Sequence, residues 1–218
     1  MLINRADVYR YMGLQNSKPS PSIEEETDRI EKLLIELVKP AYVWRLFDLI
    51  RSEDFLELSG CGFALEGLSI SRHLIGCEKA AVIAVTLGIA ADKFLKKTAL
   101  PDGLSGLCAD ALASAYTEAA LDEARSEVIR ETGLFATWCF AAGYGDFPLS
   151  TAAKLITCVD ATRRIGLGVT ASGMLTPQKS IVGVVGLSER EILGERRSCS
   201  DCSMNGNCKF RKFGGHCN

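Results

Sequence analysis

The spacing of apolar positions predicts a helix near the start of the chain. Ile30, Leu34 and Leu37 recur at helical spacing, which indicates a helix over residues 23–38. A capping box formed by Ser22 and Glu25 is expected to begin this helix. The residues before it are short and mixed in polarity, so we expect only a turn or linker there.

The chain then alternates between strand and helix patterns as far as residue 187. Apolar and β-branched runs predict strands, and small apolar residues predict a long helix over residues 104–131 that ends at Gly133. The predicted strands cover residues 42–47, 55–58, 79–86, 134–140, 167–170 and 179–187. The other predicted helices cover residues 89–97 and 150–164, together with a short helix that carries His73 and is capped by Ser69. No strand–helix–strand unit repeats, so we predict an α+β fold with a largely antiparallel sheet.

Composition narrows the classes of function. The 218 residues are 47% hydrophobic and 24% charged, with a net charge of −2, which gives no electrostatic case for nucleic acid or a membrane surface as a partner. No signal peptide is recognisable, and no apolar run reaches the ~18 residues that would cross a bilayer. We therefore expect a cytoplasmic protein.

Cysteine is abundant and clusters at the end of the chain. Four of the nine cysteines, Cys199, Cys202, Cys208 and Cys217, follow the spacing C-x2-C-x5-C-x8-C in a polar, glycine-rich segment. Such a segment buries too little apolar surface to order itself, and thiolates suit zinc or an iron–sulfur cluster. We predict a globular domain over residues 1–187, then a charged linker and a metal-binding tail over 188–218. The tail is predicted to hold a [4Fe–4S] cluster or zinc.

Four segments, in this order and separation, carry a resemblance to a known family. They are AVTLG at 84–88, ALASAYTE at 111–118, GY at 143–144 with Pro148 and Lys154 after it, and TASGMLTP at 170–177 followed by SIVG at 180–183. Together they resemble the reactivation domain of cobalamin-dependent methionine synthase. The resemblance spans roughly residues 76–187.

The resemblance implies a single C-shaped domain with a twisted, largely antiparallel sheet and a long helix. Domains of this family bind S-adenosylmethionine and dock on a cobalamin module whose cobalt has oxidised to the inactive cob(II)alamin state. An external donor supplies an electron, and S-adenosylmethionine supplies the methyl group. The chain is thus expected to be an accessory component of a methyltransferase, with the cobalamin carried by a separate corrinoid protein.

The resemblance also assigns the binding residues. They are Glu118, Gly143, Tyr144, Thr170 and Ser172. Glu118 would bind an ammonium group or ribose hydroxyls, Gly143 would let backbone approach the ligand, and Tyr144 would cover an adenine or a corrin edge.

The chain departs from the family pattern at four positions of the same site. Cys139 replaces an arginine, Ala142 a proline, Ala171 an acid and Val185 a tyrosine. The arginine would pair with the ligand carboxylate. Two alternatives therefore remain: a corrinoid-docking scaffold, or an iron–sulfur redox protein that no longer binds S-adenosylmethionine.

Overall fold

An antiparallel sheet with helices on both faces forms the fold. The computed structural model describes residues 1–14, 17–52 and 55–192. Within these residues the helices are α1 (Arg5–Tyr11), α2 (Pro21–Leu37), α3 (Leu68–His73), α4 (Gly88–Ala99), α5 (Gly103–Thr132), α6 (Thr151–Cys158) and α7 (Ala161–Ile165). The strands are β1 (Ala41–Arg51), β2 (Leu56–Leu58), β3 (Lys79–Thr86), β4 (Phe135–Ala136), β5 (Phe140–Ala141), β6 (Gly168–Val169), β7 (Leu175–Thr176) and β8 (Ser180–Ser188). The predicted fold class is confirmed.

The order of strands in the main sheet is β2-β1-β3-β8, and β4 and β5 both pair with the far edge of β8. All of these pairs are antiparallel, with Trp44 opposite Ile83 and Ile83 opposite Gly183. β6 and β7 form a separate two-stranded hairpin. The two apolar runs that predicted buried strands, β3 and β8, are neighbours at the centre of the sheet.

Helix α5 lies against one face of the sheet. The Asp102 side chain accepts a hydrogen bond from the Ser105 backbone N–H at 2.7 Å and caps the start of the helix, while Gly133 at φ 68° ends it. Alanines such as Ala120 and Ala124 face the sheet, and their small side chains let the helix pack closely against Ile83. The long helix predicted over 104–131 is confirmed.

Alternate residues of β3 serve two different cores. Ala81 and Ile83 point toward α5, whereas Val82 and Ala84 point to the opposite face, which is covered by α6, α7 and their loops. This alternation follows from the two-residue period of a strand. It places the loops after β5 and around α6 on the face away from α5.

The structure corrects the prediction for the N-terminal residues. A helix, α1, lies in the region expected to be a linker, and the Asn4 side chain caps it by accepting from the Ala6 N–H at 3.0 Å. Val8 is fully buried, and Arg5 pairs with Asp28 of α2 at 2.5 Å. Helix α2 begins at Pro21 after Ser20, so the predicted capping box at Ser22 is wrong; proline at the first helical position sets the start instead.

Two further predicted elements are interrupted. The helix predicted over 150–164 is two helices, because Asp160 adopts a left-handed conformation at φ 54° between α6 and α7. The strand predicted over 134–140 pairs with β8 only at its two ends. Between these ends, Thr137 makes two hydrogen bonds with Gly186 of β8. Its N–H donates to the Gly186 carbonyl at 2.9 Å, and its hydroxyl accepts the Gly186 N–H at 2.8 Å.

In the described ranges, no helix combines the length and apolar character needed to cross a bilayer. The four tail cysteines, Cys199, Cys202, Cys208 and Cys217, lie outside the described residues.

Candidate functional site

The Gly143–Tyr144 loop, residues 141–147, follows β5 and closes on itself. The Gly143 N–H donates to the Phe147 carbonyl at 2.9 Å, and the Tyr144 N–H donates to the Ala141 carbonyl at 3.1 Å. Gly143 has φ 94°, which a residue with a side chain rarely adopts. The loop therefore satisfies its own backbone and presents its outer surface to solvent.

The ring of Tyr144 is backed by aromatic side chains. Its centroid lies 6.0 Å from that of Trp138 and 5.9 Å from that of Phe140 in an edge-to-face arrangement. Tyr144 remains 41% exposed. A supported and partly exposed aromatic ring is a suitable stacking surface for a flat ligand such as a purine.

Asp146 ties this loop to the start of α3. Its carboxylate accepts the Leu68 N–H and the Ser69 N–H, both at 2.8 Å. The hydrogen bond from the Ser69 N–H is the main cause that lowers the pKa of Asp146. Ser69 was predicted to cap α3, and this is wrong: the helix begins at Leu68 and the acceptor comes from Asp146.

Gly67 makes this close approach possible. A Cβ at position 67 would lie 2.8 Å from the Asp146 Oδ1 and 2.9 Å from its backbone oxygen, and φ is 116°. Only glycine fits both conditions. Asp146 is 78 positions from Leu68, the residue after Gly67, and no local pattern predicts the contact.

We expect the change Asp146→Ala to lower the free energy of unfolding by about 1 kcal/mol, because two backbone N–H groups lose their acceptor. Urea denaturation measures this loss, and hydrogen exchange should show faster exchange at residues 67–69 and 141–147. Asp48→Ala is the control, since its exposed pair with Lys79 contributes about 0.5 kcal/mol. Equal losses in the two variants would contradict the role of Asp146.

Thr170 and Ser172 lie in a tight turn between β6 and β7. The Thr170 N–H donates to the Met174 carbonyl at 2.8 Å, and the Thr170 hydroxyl accepts the Met174 N–H at 3.1 Å. The Thr170 and Ser172 hydroxyls are 2.9 Å apart and within hydrogen-bonding distance of each other. Both side chains are at the surface, so a ligand can compete for these bonds.

Leu149 brings the loop and the turn together. Its two methyl groups lie next to Gly143 and Gly173. A Cβ at position 143 would be 3.4 Å from one methyl group, and a Cβ at position 173 would be 3.9 Å from the other. Leu149 and Met174 are 46% and 61% exposed. Four of the five predicted binding residues, Gly143, Tyr144, Thr170 and Ser172, thus belong to one exposed surface with an apolar floor.

The fifth residue, Glu118, takes part in a different network. Its carboxylate accepts from the Tyr11 hydroxyl and from the Arg10 guanidinium, the latter at 3.2 Å, and Arg10 also pairs with Asp7 at 3.0 Å. Burial, together with the bond donated to Glu118, raises the pKa of the Tyr11 hydroxyl. Helix α1 therefore supplies the partners of Glu118, and sequence reasoning missed it.

A cavity of about 220 Å³ lies beside this network. Its walls come from the first residues of the chain and from α5, and include Asn4, Asp7 and Glu118. Because of its acidic lining, it favours cationic or hydroxyl-bearing groups.

Two of the positions where the chain departs from the family pattern lie in the core. Cys139 is 3% exposed and packs between the sheet and α5, and Val185 is fully buried in the same cluster. A different arginine, Arg125 of α5, lies near this part of the sheet. It donates to the carbonyls of Thr137 at 2.6 Å and Ala136 at 2.7 Å. Its guanidinium is thus bonded to backbone carbonyls.

The described residues contain no group of three or more histidine, cysteine, aspartate or glutamate side chains placed to hold a metal. The predicted metal ligands are the tail cysteines, which fall outside the described ranges. Their metal site stays a prediction.

Comparison with known proteins identifies the fold. No family model matches the chain, and no curated protein sequence matches it. Among solved structures, a crystal structure of the MetH reactivation domain bound to AdoHcy matches with a TM-score of 0.53 and 17% sequence identity, over 96% of this chain and 81% of that chain. The chain therefore has the fold of the methionine synthase (MetH) reactivation domain, and the resemblance read from its sequence is confirmed at the level of the fold.

Proposed function

We propose that the chain is an accessory protein for the reductive reactivation of a cobalamin-dependent methyltransferase, with methionine synthase the first candidate. The observation that supports this proposal is the shared fold over 96% of the chain. In the proposed reaction, an external donor would supply one electron to the cob(II)alamin of the partner. S-adenosylmethionine held by this chain would supply the methyl group and would be released as S-adenosylhomocysteine.

The ligand is proposed to bind on the surface shared by the Gly143–Tyr144 loop and the Thr170–Ser172 turn. The exposed Tyr144 ring offers a face for the adenine, and the turn offers two hydroxyls. Leu149 lies between them, next to both Gly143 and Gly173. The solved structure that shares this fold holds AdoHcy, which supports a ligand of this class.

Glu118 lies in the separate network on α5, so its predicted acidic contact is proposed for a ligand that extends to that network. Each of its oxygens already accepts one hydrogen bond, from Tyr11 or Arg10, and each keeps a further acceptor position. Its charge is partly balanced by Arg10, so it favours hydroxyl groups over a full positive charge.

We expect Tyr144→Ala to weaken the binding of S-adenosylmethionine by about tenfold, because stacking of a base on an aromatic ring contributes about 1–3 kcal/mol. Isothermal calorimetry measures the change. Tyr144→Phe is the matched control, since it keeps the ring and should bind as the unaltered protein does. Equal binding by the alanine variant would contradict the placement of the ligand.

The affinity of the unaltered chain is expected to be weak, because Cys139 stands where the family has an arginine. Loss of a charge-assisted hydrogen bond to the ligand carboxylate removes about 1.5–3 kcal/mol. No heat at millimolar ligand would reject binding of S-adenosylmethionine by this chain.

Docking is tested by mixing the protein with a cobalamin-binding module loaded with cob(II)alamin. We expect a shift of the cobalt absorption spectrum and co-elution of the two proteins on gel filtration. Absence of both would reject the proposed function, whether or not S-adenosylmethionine binds.

The tail cysteines are proposed to hold a [4Fe–4S] cluster or a zinc ion. A cluster would supply an electron carrier beside a reductive step, whereas zinc would only order the tail. Metal analysis and the visible spectrum of anaerobically purified protein distinguish the two. Protein that contains neither iron nor zinc would reject the site.

A second candidate is supported by the burial of Cys139 and Val185 at two positions of the family's ligand site. In that case the fold serves as a corrinoid-docking scaffold, or as an iron–sulfur redox protein, without binding S-adenosylmethionine. Docking without any calorimetric signal for the nucleotide would favour this alternative.

A further inference from the structure

Two cysteines from distant parts of the chain lie in contact. Cys61 is in the loop between β2 and α3, and Cys158 is the last residue of α6. Their sulfur atoms are 2.9 Å apart, and both side chains are half-buried. The sulfurs of a disulfide are about 2.0 Å apart, so a small movement would join them.

The loop around Cys61 is held on α6 by a second contact. The Lys154 ammonium lies 5.2 Å from the centre of the Phe63 ring, one helical turn before Cys158. Gly60 and Gly62 flank Cys61 with φ 77° and 69°, and these turns direct the cysteine toward the helix. The approach of the two sulfurs is therefore built into the loop.

The surroundings of the two cysteines indicate which thiol attacks first. Burial and, after it, the hydrogen bond with Cys61 together raise the pKa of the Cys158 thiol to about 12. Cys158 is therefore protonated and a poor initial nucleophile. Cys61 lies between two exposed glycines of the loop, so we assign it as the attacking thiol.

We propose that Cys61 and Cys158 form a reversible dithiol–disulfide site that reacts with low-molecular-weight disulfides such as oxidised glutathione. Cys61, as thiolate, attacks the small disulfide, forms a mixed disulfide and releases one small thiolate. Cys158 loses its proton to solvent, attacks the Cys61 sulfur and expels the second small thiol. Two protein thiols are oxidised to one disulfide while one small disulfide is reduced to two thiols.

The disulfide would join two segments 97 residues apart. It would fix the Cys61 loop to α6, whose first turn follows directly after Leu149 of the candidate ligand surface. A link that closes so long a loop restricts the unfolded chain strongly and stabilises the folded one. This inference does not depend on the proposed corrinoid function.

The test is a peptide map of the full chain after incubation with oxidised glutathione, blocking of free thiols and digestion with trypsin. We expect the tryptic peptides 52–72 and 155–163 to appear as one species, two hydrogens lighter than their sum, which reductant separates. The oxidised protein should melt about 10 °C higher than the reduced protein. Each of Cys61→Ser and Cys158→Ser should abolish the shift.

Two controls separate this pair from the other thiols. Cys108→Ser, at a buried cysteine far from the pair in sequence, should leave the linked peptide unchanged. Replacing the four tail cysteines by serine in the full chain should also leave it unchanged. Peptides 52–72 and 155–163 that remain reduced, or that each carry a separate glutathione, would overturn the proposal.

Discussion

Replacing Gly183 by alanine is expected to destabilise the fold strongly. Gly183 lies in the middle of β8, where a Cβ would come within 2.6 Å of the Cys139 sulfur, 2.7 Å of the Phe140 carbonyl oxygen and 3.0 Å of the Ala141 Cα. Two of these three atoms are backbone of β5, which pairs with β8 at this point. The backbone can move away only by breaking that pairing, so we expect a loss of about 3 kcal/mol or more in the free energy of unfolding.

Urea denaturation followed by circular dichroism measures the loss at Gly183. Gly103→Ala is the matched control, because a Cβ there would meet nothing within 4 Å at the start of α5. The control should change stability by less than about 0.5 kcal/mol. A Gly183→Ala variant as stable as the control would show that β5 and β8 do not approach as closely as described.

The sheet and the long helix could be predicted because their signals are local. β3 and β8 are continuous apolar runs of strand length, and burial on both faces removes any need for polar alternation. The end of α5 is set by Gly133, whose left-handed conformation favours glycine. Each signal lies within a few residues of the element that it specifies.

Helix α1 could not be predicted because distant residues hold it in place. Arg5 pairs with Asp28, 23 residues away, and Arg10 pairs with Glu118, 108 residues away. Seven residues are too few to form a stable helix alone. The split between α6 and α7 has a similar origin: an aspartate tolerates the left-handed conformation, but nothing in the local pattern requires it at Asp160.

In the candidate site, too, local motifs could be predicted and contacts between distant residues could not. The Gly143–Tyr144 loop could be recognised from its short motif, and the turn that holds Thr170 and Ser172 from the motif at 170–177. The bond between Asp146 and α3, and the contact between Cys61 and Cys158, join residues 78 and 97 positions apart. Single residues of common types carry these contacts, so only the folded chain shows them.

Helix α1 also changes how Glu118 is interpreted. The resemblance assigns Glu118 to the ligand, whereas the fold already provides Arg10 and Tyr11 as its partners. The surface at Tyr144 and the network at Glu118 are therefore separate features of the structure. Binding data for variants at the two positions will show whether one ligand contacts both.

His73 is expected to make the protein less stable as the pH falls below about 6.5. Its ring packs against Trp138 and Phe140, with centroids 4.7 Å and 5.0 Å away, and its Nε2 is 2.9 Å from the Trp138 carbonyl oxygen. Because the carbonyl can only accept, the proton of the neutral ring is assigned to Nε2, which also lies 2.9 Å from the Thr137 hydroxyl oxygen. Burial lowers the pKa of His73 from 6.5 to about 4, against the opposing effect of this hydrogen bond.

The sign of the effect follows from proton uptake. Between about pH 4 and 6.5 the unfolded chain binds a proton at His73 and the folded chain does not, so acid favours unfolding. From pH 7 to pH 5 this amounts to about 2 kcal/mol, at 1.36 kcal/mol for each pH unit below 6.5. The contribution is fully lost once the pH falls below the folded pKa of about 4.

Urea denaturation between pH 5 and 7 compares the unaltered protein with His73→Gln, whose side-chain amide can still donate to the Trp138 carbonyl. Carboxylates titrate equally in both proteins, so the difference between their free energies of unfolding isolates His73. We expect this difference to change by about 2 kcal/mol across the range. His216→Gln, at the second of the two histidines, should keep the pH dependence of the unaltered protein. Parallel curves for His73→Gln and the unaltered protein would mean that His73 titrates alike in the folded and unfolded chains.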